Sequence, residues 1–427
     1  MANVMTRPLK LGRAPVVGNR RRRNLFVLIG AFIVTLLLPP LGSLILPGIG
    51  PTLYGDIIIP LDQTLVFVLL ALGLNVVVGY AGLLDLGYAA FFAIGAYTMG
   101  FLTSNQTPWY NSFHLDFWIA LPISFISAGI FGLLLGAPTL GLRGDYLAIV
   151  TLGFGEIVPT VFKNLTTITG GNSGLGGIKS DAITLRELSG SGVLASGGTR
   201  QAFLDDTWTW WYYVIIGVII LSIFLILRLV NSRVGRAWMA MREDEIAASA
   251  MGINIVTTKL IAFSTGASFA GFAGAIYAST LGTANPSQFL FAVSILVLSM
   301  VILGGMGNIW GVIFGALVLG MSNSILIPNL SRSLANLAPN NAFLQNVATS
   351  SGFMIFGLIL VTMMLVRPEG LFPSGRRKME LRGEDGDDIQ PFVAASENDI
   401  EGLDSMRSIN YNPSVTEGDG TTGLKKK

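Results

Sequence analysis

The chain has 427 residues, 52% of them hydrophobic and only 12% charged, with a formal net charge of +2. A water-soluble protein of this size could not bury so much apolar surface in one core, so the composition points to lipid as its solvent. There is no cysteine and one histidine, His114, which excludes disulfides, thiolate chemistry and a histidine-built metal cluster within one copy.

Residues 1–24 form a basic arm with Arg7, Lys10, Arg13 and Arg20 to Arg23. The apolar run behind it starts like a signal peptide, but no small-residue cleavage motif follows. Pro39-Pro40 sits where the run ends, so it reads as a retained first span. A bilayer core takes about 20 apolar residues per helix. Windows of that kind fall at 25–46, 64–82, 86–103, 117–138, 145–162, 210–230, 259–281, 289–306, 309–327 and 352–367. The expectation is an all-α polytopic membrane protein of about ten transmembrane helices, with its membrane domain over 25–373. The 145–162 window is the most polar, because it holds Glu156 and Pro159.

The charges orient this arrangement. With the N-terminus in the cytoplasm, ten spans also place Arg143, the segment from Arg228 to Lys259 and the tail from Arg367 inside. The outer loops 47–63, 104–116 and 283–288 contain no Lys or Arg, as the positive-inside rule requires. Only the long outer loop 163–208 carries several, and long loops follow the rule poorly. Trp208, Trp210, Trp211, Tyr212 and Tyr213 crowd the start of the sixth span, and Trp109 and Tyr110 lie in another outer loop, where amphipathic rings anchor a helix at the interface. Residues 374–427, with Glu384-Asp385-Gly386-Asp387-Asp388, read as a disordered acidic cytoplasmic tail.

Small residues recur on single helix faces: Gly132 with Gly136, Gly311 with Gly315, and Ala267 with Gly271 and Gly274. Such faces allow close backbone approach, either within the subunit or at a dimer seam.

No motif for bond-making chemistry is present. There is no Gly-Lys pair for a phosphate loop, no His-Glu-x-x-His and no nucleophile elbow, so the chain reads as a transport subunit rather than an enzyme. Ion-coupled carriers usually hold ionisable groups within their helices. Here Glu156 is the main exception, with Asp85 near a helix end. Glu156 is either a functional carboxylate or the cap of a helix broken at Pro159, and neither reading makes a proton relay. The energy for transport is therefore expected from outside the chain.

The cytoplasmic segment 231–258 is the place where it could enter. Strong helix formers fill 236–251, and Gly252 is placed to end the helix. Trp238, Met241, Ala248 and Met251 fall near one face, with Arg242, Glu243 and Asp244 on the other. Such a helix is either a docking element for a partner's groove or an ordinary amphipathic surface helix. Its Ala247-Ala248-Ser249-Ala250-Met251-Gly252 resembles the coupling loop of ABC-importer permeases, with the signature's Glu-Ala-Ala, three residues, Gly spacing. Ile246 stands where that signature has glutamate, and Glu245 lies one place earlier.

Longer stretches narrow the resemblance. They are Gly73-Leu74-Asn75 through Gly79 and Gly82, Leu86-Gly87-Tyr88 through Gly95-Ala96-Tyr97, Leu142-Arg143-Gly144-Asp145-Tyr146 through Glu156, Thr169-Gly170-Gly171, Arg242 to Ile246, and Gly304-Gly305-Met306-Gly307. Together they resemble the M-type permease of branched-chain amino acid ABC importers, over about residues 60–375. The resemblance implies a heterodimer with an H-type permease, two cytoplasmic ATPases that carry the ATP and Mg, and an extracytoplasmic substrate-binding protein. It implies no cofactor on this chain and no nucleic-acid partner. The implied substrates are leucine, isoleucine, valine and other neutral amino acids, moved across a bacterial cytoplasmic membrane by alternating access. Urea-importer permeases are close relatives; an ion-coupled carrier and a non-transport membrane scaffold are the competing classes.

Carried onto this sequence, the ATPase-coupling residues are Arg236, Trp238, Arg242, Glu243, Glu245, Ala247, Ala248 and Gly252. Asn75, Gly95, Tyr97, Glu156, Gly304 and Gly305 are pathway or helix-packing positions. The loop at Thr169-Gly170-Gly171 is either a docking surface for the binding protein or simply a flexible outer loop.

Overall fold

Small residues decide how the apolar windows pack. The computed structural model describes residues 50–107, 115–139, 145–178 and 207–329, together with residues 357, 361 and 372. The described residues form helices α1 (Gly50–Leu74), α2 (Tyr88–Thr103), α3 (Phe117–Gly136), α4 (Asp145–Asn164), α5 (Thr207–Val230), α6 (Arg233–Glu243), α7 (Glu245–Ala250), α8 (Ile255–Leu281), α9 (Phe291–Gly304) and α10 (Ile309–Met321). α1 continues into a π-helical turn at Asn75–Tyr80. Only two isolated β-bridges occur among the described residues, and the chain is an all-α polytopic membrane protein.

α8 is the hub. Gly95 of α2 meets the backbone of Gly271, Gly274 lies against the backbone of Phe92, and Gly132 of α3 packs on Ala267. Ser264 donates to the Gly129 carbonyl oxygen at 3.0 Å, and the Tyr88 hydroxyl donates to the Gly266 carbonyl oxygen at 2.9 Å. Where no hydrophobic drive separates helix from lipid, backbone approach and buried polar contacts of this kind hold helices together. A second crossing joins α9 to α10, where Gly304 faces Gly311 and Gly315. The small-residue faces therefore serve packing within the subunit, and the dimer-seam alternative is not needed for them.

Seven helices are long and apolar enough to cross a membrane, and Tyr88–Thr103 is a shorter apolar one. They match eight of the ten windows; those at 25–46 and 352–367 lie outside the described residues, as do the arm 1–24, Arg143, Trp109, Tyr110, loop residues 179–206 and the tail 374–427. One boundary is corrected. The window at 64–82 begins too late, because the span runs Ile59–Tyr80 and takes Asp62 with it. Hydropathy averaging had pushed that acid into a loop.

The start of the long 163–208 loop is tied to the bundle. Leu175 bridges to Ala284 and Ser104 to Ile178, while the Thr169 hydroxyl donates to the carbonyl oxygens of Phe162 and Leu165. Thr169 and Gly171 are buried, so this first stretch is built structure rather than a free loop.

Candidate functional site

The segment 231–258, expected on the cytoplasmic side, is two helices, not one. The Ser232 side chain caps α6 by accepting from the Gly235 N–H. Asp244 is extended, and its carboxylate accepts from the N–H groups of Ile246 at 2.7 Å and Ala247 at 3.0 Å. An aspartate that caps a new helix competes with continuation of the old one, which is why α6 stops at Glu243. The break changes the phase. Trp238, Met241 and Ala248 are buried as the single-helix reading expects, but Met251 is 84% exposed.

Burial also reassigns two expected coupling residues. Trp238 is enclosed, and its indole N–H donates to the Thr258 carbonyl oxygen at 3.0 Å. Ala248 is likewise inside. Neither can touch a partner; both seat the segment on α8. Glu245 does the same through a 2.7 Å ion pair with the buried Lys259 of α8. Arg236 is exposed and donates to the Asn231 carbonyl oxygen, and Glu243 is exposed. The outward surface of α7 consists of Ile246, Ala247, Ser249, Ala250 and Met251, ended by Gly252 at φ +86°. Ile246, 70% exposed, and Met251 are large apolar side chains that the sequence reading named but did not place among the coupling residues. The signal was there: both occupy a segment whose neighbours are small or charged.

This surface is wired into the membrane. The Arg242 guanidinium donates to the carbonyl oxygen of Gly79 in the π-helical turn, and its stem lies over Gly82. The Asn75 side-chain oxygen, one helical turn earlier, accepts from the Gly307 N–H at 2.9 Å. Thus α6 is bonded to the end of α1, and α1 to the loop between α9 and α10. A π-helical turn leaves wider hydrogen-bond spacing than an α-helix and often marks a functional position.

The remaining candidates separate into interior and surface. Gly95 and Gly304 are helix-crossing points, and Gly305, at φ +106°, forms the turn after α9. Tyr97 is buried against Phe162 with ring centroids 4.1 Å apart. None of these faces open space. Glu156 does, on the exposed side of α4.

Two further acids lie within the bundle. Asp62 is fully buried, and neither carboxylate oxygen has a hydrogen-bond partner. Asp85 sits between the π-helical turn and α2, accepting from the Gly87 N–H at 2.9 Å through one oxygen, with the other unpartnered. Desolvation by burial pushes its carboxyl up to about 7, against the opposing pull of that backbone N–H.

Residues 57–365 match the family described as branched-chain amino acid transport system, permease component. The chain belongs to that family. It is 41% identical over 325 residues to the high-affinity branched-chain amino acid transport system permease protein LivM of Escherichia coli (strain K12), covering 75% of this chain and 70% of that one. It is 25% identical over 338 residues to the probable branched-chain amino acid transport permease protein LivM of Methanocaldococcus jannaschii, covering 72% and 90%. The high-affinity branched-chain amino acid transport system permease protein LivH of Escherichia coli (strain K12) is 29% identical over 175 residues, 41% of this chain and 50% of that one. No solved structure matches the chain. Among the described residues of this permease, the α6–α7 segment and the α4 surface expose features that internal packing does not account for.

Proposed function

We propose that this permease is the M-type half of an ATP-driven importer for branched-chain or other neutral amino acids. It pairs with an H-type permease, receives substrate from an extracytoplasmic binding protein, and is driven by two cytoplasmic ATPases that hold the ATP and Mg. The observation that carries this reading is the α6–α7 segment: an exposed apolar tip on a base bonded to α1 and α8. An apolar side chain such as Met251 presented by a short rigid helix fits a groove on a partner surface.

The mechanism follows from the connections. A partner that grips Ile246 and Met251 differently in two states displaces α6–α7, since only differential binding can shift a conformational equilibrium. Arg242 then passes the displacement to the π-helical turn, and Asn75 passes it to the α9–α10 loop. Glu245 and Lys259 load the end of α8. The sparse charge in the spans favours a neutral or zwitterionic cargo. The membrane is the bacterial cytoplasmic membrane, with both termini inside.

Uptake of radiolabelled leucine into proteoliposomes tests this. The expected outcome is ATP-dependent uptake only when this chain, its partner permease, the ATPases and the loaded binding protein are all present. Uptake by this chain alone on an ion gradient would replace the reading with that of a secondary carrier. Uptake of urea but not leucine by the full set would replace the cargo.

A further inference from the structure

α4 runs from Asp145 to Asn164, long enough at 1.5 Å per residue to cross a bilayer core, and Glu156 lies about midway along it. Its two sides differ. On one, Thr151 and Gly155 pack against Gly87, and Phe162 stacks on Tyr97. On the other, the exposed Tyr146 and Ile149 lead into an open stripe of Gly153, Glu156, Ile157, Thr160, Val161 and Asn164; a Cβ at Gly153 would meet nothing. The end of that stripe from Glu156 to Leu165 borders a shallow groove of about 440 Å³.

Lipid accounts for the apolar members of this side but not for Glu156, Thr160 and Asn164. The exposed side of α3 carries Trp118, Ile119, Ile126, Ile130, Phe131 and Leu134, and that of α5 carries Ile220, Leu221, Phe224, Leu225 and Leu227, all apolar. A carboxylate at mid-membrane depth is costly against hydrocarbon and belongs to a bundle interior or a water-filled path. Among the described residues no Lys, Arg or His forms an ion pair with Glu156.

We propose that Glu156 receives the α-ammonium group of the amino acid as it crosses, on a stripe of α4 that lines the translocation path. The chemistry of the stripe suits a zwitterion with an aliphatic side chain. Glu156 offers the anion, Ile157 and Val161 offer apolar contact, and the Asn164 amide, two turns along, can donate to a carboxylate. A bare metal ion would need several converging oxygens, and this face supplies a single carboxylate. The inference rests on the importer reading and adds to it the residue that recognises the cargo within the membrane.

The test uses the assembled importer in proteoliposomes, with leucine as the probe. Loss of a charge-assisted contact in the path should lower leucine uptake by Glu156→Gln about tenfold or more, and Glu156→Asp should restore it to within about threefold of wild type. This chain has no cysteine, so Gly153→Cys in a complex with cysteine-free partners is a unique label site. A charged, water-soluble thiol reagent should modify it, and loaded binding protein with ATP should slow that reaction; Phe131→Cys should not react. Wild-type uptake by Glu156→Gln, or a Gly153→Cys that reacts only with a lipid-soluble reagent, overturns the inference while leaving the importer reading intact. So does failure of Glu156→Gln to co-purify with the partner permease, which would mark Glu156 as half of an ion pair between subunits. A wild-type complex that takes up no leucine overturns the importer reading itself, and this inference with it.

Discussion

α4 and α8 look alike as apolar windows, yet they occupy opposite positions in the protein. The α8 span is 72% buried, and its glycines and alanines are covered by α1, α2 and α3. The α4 span is 28% buried and exposes a glutamate near its middle. Hydropathy measures the preference for leaving water but not which neighbour replaces it. What distinguishes the two helices is the size of the side chains on α8, and the polarity of the side chains on α4. A helix covered with glycine is committed to its own subunit, whereas a helix that exposes a carboxylate in the membrane needs something beyond it.

The contrast is broken most severely at the hub. Gly271→Leu places a side chain where α2 and α3 pass, against Ser124, Ala128 and the Gly95 crossing. Overpacking of this kind costs about 3 kcal/mol or more where backbone cannot retreat. The expected result is loss of detergent-stable permease, seen as a collapsed size-exclusion peak; the equivalent change at the open Gly153 should leave the peak in place.

A second test addresses the exposed tip of α7. Replacing Ile246 and Met251 together by aspartate removes two apolar contacts from the surface without touching the buried Trp238 and Ala248. Binding of the ATPase subunit to the purified permease should weaken about thirtyfold, in line with the loss of an interface anchor. Unchanged binding would move the contact off α7. Below this in size comes Arg242→Ala, which keeps that surface but cuts its bond to Gly79. Transport should fall about tenfold with ATPase binding retained, so the ratio of uptake to ATP hydrolysed reports the loss.

A separate, pH-dependent test concerns Asp85. Its folded-state carboxyl titrates at about 7 against an unfolded value near 3.8, so the folded form holds the proton longer. The stability this proton contributes is complete below about 4 and is lost as pH rises through about 7, on the order of 4 kcal/mol at most. Thermal midpoints of the detergent-solubilised wild type should therefore fall between pH 5 and pH 8, whereas Asp85→Asn should flatten that slope. A wild-type midpoint independent of pH would show that the carboxyl is solvated in the folded protein.

The sequence was informative where one residue decides one outcome. Apolar length located the eight windows that the described helices match, the family motifs singled out the segment 231–258, and the Gly132, Gly271 and Gly311 faces pointed to close packing. It was less informative where neighbours compete. Asp244 ended α6 because its carboxylate captured the next two N–H groups, which helix propensity alone does not weigh. Asp62 was averaged out of a span by the acid's own polarity, and Ile246 read as a lapse from a signature rather than as an exposed apolar anchor. Lys259, at the edge of a window, gave no hint that it was buried against Glu245.

The meeting of Gly95 with the Gly271 backbone has a mechanical consequence. Two helices in contact through bare peptide groups have no side chains to interlock as ridges and grooves, and so nothing that ratchets. Such a crossing resists separation and lengthwise sliding by the neighbouring Gly274–Phe92 contact, but it presents little obstacle to a change of angle. It has the form of a fulcrum on a lever whose far end is held by Glu245 and Trp238. A small displacement at that end would be returned beyond the pivot as a displacement in the opposite direction.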